Sequence, residues 1–464
     1  MKIFKGDAMA GLTYGWIAMV ALGAIVAFLG GSSRPDAIQL IALRPLAALM
    51  LIPALILMTS ERLAPAKTPL FLLLALAALM ALQLLPLPPG IWQALPGRAE
   101  AAEFSRLAGL GDVWRPLSMA PDRTLNAVAS LVVPIAGLLV AMAAGFRSRT
   151  ILTGVALLGV ADAVIGILQV LGGGAGALYF YAITNAGTPV GIFANQNHSG
   201  VFSALVLIVI AHLGTDKDGG FRGPGKRTVL GAAYVMVLVA ALLSGSRAAL
   251  ILTLFAVLSS LLMLWIAIGN TRQSKRPKFL RNMPAPRLSN IVVAAIFAAV
   301  AAAVAYALTG EGEGAVAIAD AETFEDLRFR IFPVLLSMLA TYWLPGAGFG
   351  AFEETYHIYE PAELLSRYYI NQAHNDWLQF LIEGGLLGAI WLLAVLWYFA
   401  ANLMRMARHP DVSAGRTLFW LCVVAVVMAA SLVDYPLRTP VFQLALAWLA
   451  ASFAIDRFRF ASNR

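Results

Sequence analysis

The chain has 464 residues, of which 60% are hydrophobic and only 12% charged, against about a quarter charged in an ordinary soluble domain. That balance excludes a soluble enzyme and reads as a polytopic membrane protein. The net charge of +8 does not point to nucleic acid, because the basic residues lie in short loops between apolar spans, where they orient a membrane protein.

A bilayer-crossing helix needs about 20 apolar residues. Twelve candidate spans follow in order: 12–30, 38–58, 70–86, 124–145, 150–171, 199–213, 228–243, 248–268, 290–309, 385–404, 416–434 and 440–456. The N-terminus (Met1, Lys2, Lys5) enters the first span without a convincing cleavage site, so that span is expected to be retained. With this end inside, the loops beginning near 59, 146, 214, 269 and 405 are cytoplasmic. They carry Arg62 and Lys67; Arg147 and Arg149; Lys217, Arg222, Lys226 and Arg227; a run from Arg272 to Arg287; and Arg405, Arg408 and Arg416. The tail adds Arg457, Arg459 and Arg464, while the short loops of the opposite set are poor in Lys and Arg. Both termini are therefore expected in the cytoplasm. The lone cysteine, Cys422, lies inside a span, so no disulfide framework is possible.

The expected organisation is nine spans with short loops over 1–309, a large external loop over 310–384, and three spans with a tail over 385–464. A second external segment, 87–123, opens with Leu87-Pro88-Pro89-Gly90; its residues 91–108 predict an amphipathic helix anchored at the interface by Trp92. The acidic 310–384 loop predicts a helix between 324 and 343, lying along or dipping into the membrane surface and ended by Leu344-Pro345-Gly346. Gly346, Gly348 and Gly350 read as a flexible turn; no strand precedes them, so they do not make a phosphate loop.

Five motifs fall on the external side. Asn195-Gln196-Asn197-His198 is a polar turn entering a span, either a helix cap or a phosphate-binding helix start. Arg247 ends Ser244-Gly245-Ser246-Arg247; its planar fork suits a pyrophosphate, although a snorkelling arginine that ends a span is the plainer reading. Arg328 and Arg330 precede the apolar helix of the acidic loop and cannot share one helical face, so at most one points into a site, Arg328 being favoured. His374 starts His374-Asn375-Asp376-Trp377 and is able to take a proton from a hydroxyl; Asn375 would orient it or bind a sugar, and Asp376 would cap the following helix. Asp434 and Arg438 flank Pro436 in a tight turn, as a mutual ion pair or as substrate contacts. Asp162, in the middle of the fifth span, is either a proton relay of a transporter or a partner for a neighbouring helix. The five histidines and one cysteine show no metal-ligand spacing, so no metal is expected.

The order and approximate spacing of Asn195-Gln196-Asn197-His198, the serine turn ending in Arg247, Arg328 with Pro345-Gly346-Ala347-Gly348-Phe349-Gly350 downstream, and His374-Asn375 with Glu383-Gly384-Gly385 resemble the O-antigen ligase and polymerase superfamily. The likeness covers about 120–440 and is strongest over 190–390. It implies an all-α polytopic glycosyltransferase of the GT-C type with about 12 transmembrane helices and a large, partly helical periplasmic loop. It also implies a bacterial inner (cytoplasmic) membrane location and an active site facing the periplasm. The donor would be a glycan on undecaprenyl pyrophosphate. The acceptor would be the lipid A–core oligosaccharide for a ligase, or a second lipid-linked glycan for a polymerase. A polysaccharide-related transporter is a more distant alternative. No cofactor, metal or nucleic acid is implied. His374, Arg247 and Arg328 map to the catalytic set, with Arg330, Asn195, Asn197, His198, Asn375 and Arg438 as substrate-binding residues.

Overall fold

The computed structural model describes residues 3–174, 176–216, 224–275, 330–365 and 370–461. The expected span at 290–309 and the candidate Arg328 lie outside them. The described chain is all-α apart from a two-residue ladder in which β1 (Pro86–Leu87) pairs with β2 (Arg115–Pro116). Helix α1 runs Ile3–Leu29. Ten further helices among the described residues are long and apolar enough to cross a membrane. Seven precede the large loop: α2 (Leu40–Leu57), α3 (Ser60–Leu82), α4 (Pro121–Ala143), α5 (Ser148–Leu171), α6 (Gln196–Thr215), α7 (Pro224–Leu243) and α8 (Arg247–Lys275). Then come a shorter apolar helix, α9 (Arg330–Tyr342), and the spans α10 (Asp376–Arg408), α11 (Ala414–Val433) and α12 (Pro440–Ala461). Every backbone group of such a segment is satisfied internally, the condition a bilayer imposes.

Helix α6 is the central post: 83% of its apolar window is buried, whereas the figure for α2 is 17%. Ile52, Leu55 and Ile56 of α2 accordingly face outward, where lipid would lie. The apolar run of α6 is short because its first turn is the polar Gln196-Asn197-His198, which still belongs to the helix. Likewise α10 begins at Asp376 and not near 385; the apolar run starts at a break in the helix, where Gly385 takes φ 57° and ψ −152°.

That break is braced. Ala347 and Gly348 donate backbone N–H bonds to the carbonyls of Ile382 (2.9 Å) and Glu383 (3.0 Å). The buried amide of Gln83, just past α3, donates to the Glu383 carbonyl (3.0 Å) and accepts from Phe349 N (2.9 Å). Met119 N donates to the Ala347 carbonyl at 2.8 Å. Gly348 has φ +105°, and a Cβ there would overlap the Ser118 side chain. The glycine turn is thus a packed rivet between α3, α10 and the 118–119 segment, not the flexible turn expected.

The 91–108 expectation is also corrected. Helix forms only over Pro89–Trp92 and Ala99–Leu107. Trp92 is 1% exposed and donates its indole N–H to the Val113 carbonyl (3.0 Å), so it holds the segment to itself instead of anchoring it in lipid.

Asp162 is a fastener. Its two carboxylate oxygens accept bonds from Ile192 N and from the Ser199 hydroxyl, both at 2.9 Å. One helical turn or two further on, the Gln169 amide bonds both Gly191 N (2.8 Å) and the Gly191 carbonyl (3.0 Å). Gly191 has φ +60°, and any Cβ there would overlap Asp162. The loop so pinned also donates Ala194 N to the Gly31 carbonyl (3.0 Å), while Val441 N of α12 donates to the Gly30 carbonyl (3.0 Å). The end of α1 and the starts of α6 and α12 therefore meet at one end of the bundle. This geometry favours the helix-partner reading of Asp162 over a proton relay. Asp162→Ala, which orphans two buried donors, should cost about 2–5 kcal/mol of stability in thermal unfolding of the purified protein, whereas Asp162→Asn should keep most of the stability and function. Equal loss of function in both variants, with normal stability, would reinstate the relay.

Candidate active site

Four polar turns converge at that end. His374, immediately before α10, has φ 49° and is the one non-glycine residue with positive φ among the described residues. Such a conformation costs of order 1–3 kcal/mol and persists only where the surroundings over-determine it. Here they do: Ala373 N donates to the Gln379 side chain (2.9 Å), Asn375 Oδ1 caps α10 by accepting from Leu378 N (3.0 Å), and Asp376 N donates to the Asp434 carbonyl (3.4 Å). Asn375, not Asp376, is the cap.

The His374 ring lies with Nδ1 3.5 Å from Asp434 Oδ1, and its side chain stays 24% exposed. The other carboxylate oxygen, Oδ2, is 3.8 Å from Nε2 of His198. Tyr435 stands edge-on to both imidazoles, with centroids 4.9 Å from His374 and 5.1 Å from His198. One carboxylate is thus shared by an outer and an inner histidine. His198 is 0% exposed beneath Asp434 and Tyr435, so burial keeps it from the direct substrate contact expected of it.

Arg438 turns to the other side. It bonds Glu383 (3.1 Å) and lies 3.4 Å from Asp376, so the expected Asp434–Arg438 pair does not form. Gln379 donates to both Glu383 (3.0 Å) and Gln372 (2.6 Å), and Leu437 N donates to Asp376 (3.4 Å). Burial works against the Arg438 charge, but Glu383 and Asp376 outweigh it and hold the guanidinium above the ordinary arginine value. Since Gln379 belongs both to this network and to the His374 backbone brace, the ion pairs stiffen the loop that carries His374.

Arg247 is the first residue of α8 and is exposed. The turn before it packs on the first turns of α6: a Cβ on Gly200 would lie 2.9 Å from Ser244 Oγ. Ser246 Oγ accepts from Ala249 N (3.2 Å) and starts the helix. Arg247 and the His198 turn therefore share one end of the molecule. Arg330 is exposed and donates to the Glu363 carbonyl at 3.1 Å. Asn195 caps α6 by accepting from Asn197 N (2.8 Å), and Asn197 is half-buried beside it. Among the described residues no group of three His, Cys, Asp or Glu side chains is placed to hold a metal ion.

Sequence reasoning missed what Asp434, Tyr435, Glu383 and Gln379 do. A carboxylate and a tyrosine closing an apolar span, and a Glu before Gly-Gly, were the available signals.

Residues 232–393 match the family profile described as O-antigen ligase, which bears out the superfamily expected from the motif order. A search of curated proteins finds no match. The matched stretch holds Arg247, Arg328, His374 and Glu383; the Asn195–His198 turn and the Asp434–Arg438 turn lie outside it. Removing one partner of a buried ion pair typically costs about 3–5 kcal/mol. Arg438→Met should therefore lower the unfolding temperature strongly, because Glu383 is 1% exposed and loses its counter-charge. The triple variant Arg438→Met/Glu383→Gln/Asp376→Asn, which removes both carboxylate charges with the arginine, should recover most of that loss, and a failure to recover would show that these pairs are not what holds the turn.

Proposed function

We propose that the chain is a multi-pass glycosyltransferase of the O-antigen ligase type. It would lie in the bacterial inner membrane with both termini cytoplasmic and the polar end in the periplasm. It moves a glycan from undecaprenyl pyrophosphate to an acceptor hydroxyl, the acceptor being lipid A–core oligosaccharide; joining two lipid-linked glycans, as a polymerase does, is the second reading. The observation that carries the proposal is the left-handed His374 beside the Asp434 carboxylate, at the same end as Arg247, within a chain whose residues 232–393 match the O-antigen ligase profile.

In this reading Asp434 fixes the His374 ring through Nδ1 and leaves the exposed edge to meet the acceptor. His374 takes the hydroxyl proton as that oxygen attacks the anomeric carbon. The bond from that carbon to the pyrophosphate oxygen breaks, undecaprenyl pyrophosphate leaves with the electron pair, and the anomeric centre inverts. Arg247, with Arg328, stabilises the charge developing on the leaving group. Once neutralised, pyrophosphate leaves without a protonating acid, and the family resemblance implies no metal. Asn197 and Asn375 flank the acceptor side, and His198 supports Asp434 from below. Arg438, engaged with Asp376 and Glu383, would act by stiffening the His374 loop, and Arg330, bonded to the Glu363 carbonyl, would be a secondary contact.

His374→Ala should lower kcat for transfer about 10²–10⁴-fold, with the protein stably inserted. Asp434→Asn should lower kcat less, with little change in donor KM. Arg247→Ala that retains full transfer activity would sink the pyrophosphate clamp. Reporter fusions should place residues near 330–384 outside the cytoplasm; a cytoplasmic result would overturn the orientation and the donor together.

A further inference from the structure

A cavity of about 900 Å³ lies between α2, α3, α4, α10, α11 and α12. Its walls are mostly aliphatic, and it runs from the outer ends of these helices to Met404 and Trp420 near the opposite end. His374, His198 and Arg247 do not line it; Asp376, Glu383 and Arg438 do, so it borders the candidate active site from behind.

Three more arginines stand at its outer end: Arg34, Arg44 and Arg123. Arg34 pairs with Asp36 (2.9 Å), and Arg123 with Glu354 (2.5 Å) and Glu353 (3.8 Å). Arg44 differs. Its guanidinium donates to the neutral Asn126 amide at 2.6 Å, and among the described residues no carboxylate is within ion-pair distance of it. Arg44 lies in the second turn of α2, at the end of the bundle where α1 finishes. A cation at that depth, facing an apolar cavity with only a neutral partner, is costly unless an anion completes it. Arg44 is one turn in from the end of a candidate span, the end of a bilayer-crossing helix that meets lipid headgroups, and the cavity below suits hydrocarbon.

We propose that Arg44 and Asn126 bind the phosphate of a lipid whose chain occupies this cavity, a site separate from the His374 cluster. The proposal deepens the transferase reading by giving one lipid-borne reactant a seat behind the Asp376–Arg438–Glu383 network. The shared chemistry is a phosphate on a long hydrocarbon; an isoprenoid carrier and an acyl-chain lipid are its two sources.

The test is native mass spectrometry of the full-length, delipidated protein with four probes: undecaprenyl phosphate, dioleoyl phosphatidic acid, dioleoylglycerol and inorganic phosphate. At least one phosphorylated lipid should bind, and Arg44→Gln should weaken it about tenfold or more, while Arg44→Lys keeps part of the affinity. The preferred lipid names the source. Val427→Trp, which fills the cavity, should weaken the same lipid and tests the chain even if Arg44→Gln folds poorly. Unchanged binding in both Arg44→Gln and Val427→Trp overturns the site, and inorganic phosphate binding as tightly as the lipids overturns the part given to the chain. His374→Ala should bind lipid as the unsubstituted protein does, so a failure of the transferase reading leaves this readout intact, and the converse holds.

Discussion

The carboxylate of Asp434 joins three pieces of chain that are far apart in sequence. It closes α11, faces His198 at the start of α6 and His374 before α10, and its backbone carbonyl receives Asp376 N. At the edge of a bilayer, polar groups have little water to turn to, and an unsatisfied one is expensive. A single buried acid 3.5–3.8 Å from two imidazoles, with a tyrosine edge-on to both, gathers these polar groups in one place and sets which ring faces outward. The left-handed His374 is tolerable because Gln379, Asn375 and Asp434 each hold one side of it.

Around this centre the fold is built from fasteners of the same kind. Asp162 and Gln169 hold the loop entering α6; Gln83 and the glycine turn hold the break in α10; Arg438 with its two carboxylates holds the turn into α12. Each consumes polar side chains that, in a linear reading, look available to a substrate. Only part of a motif in a membrane protein is free for chemistry, and the burial of His198 against the exposure of His374 shows how that division is made.

Hydropathy made most of the architecture legible. Among the described residues most span positions, the loop helix at 330–342 and the shared end of four of the five motifs follow from apolar runs and loop charges, while the span expected at 290–309 lies outside them. Less legible were features that depend on what a residue touches. Trp92 looked like an interfacial anchor but is enclosed by its own loop. The three glycines looked mobile because freedom and close packing both select glycine. Asp376 looked like a cap, a role that its neighbour Asn375 takes. The functions of Asp434 and Glu383 need a partner 50 to 60 residues away and cannot be read from local pattern. Arg328, the third expected catalytic residue, lies outside the described residues.

The cavity behind the ion-pair network adds a physical reason for the network itself. Asp376, Arg438 and Glu383 separate an apolar chamber from a polar cluster, and the arginine held between two carboxylates keeps the charged groups paired with one another at the edge of the hydrocarbon. The central claim, however, is that Asp434 acts through His374, and a double-mutant cycle on transfer by the purified full-length protein tests it most directly. If the two act as one unit, His374→Ala/Asp434→Asn will be no slower than His374→Ala alone. Losses that multiply independently would contradict the account.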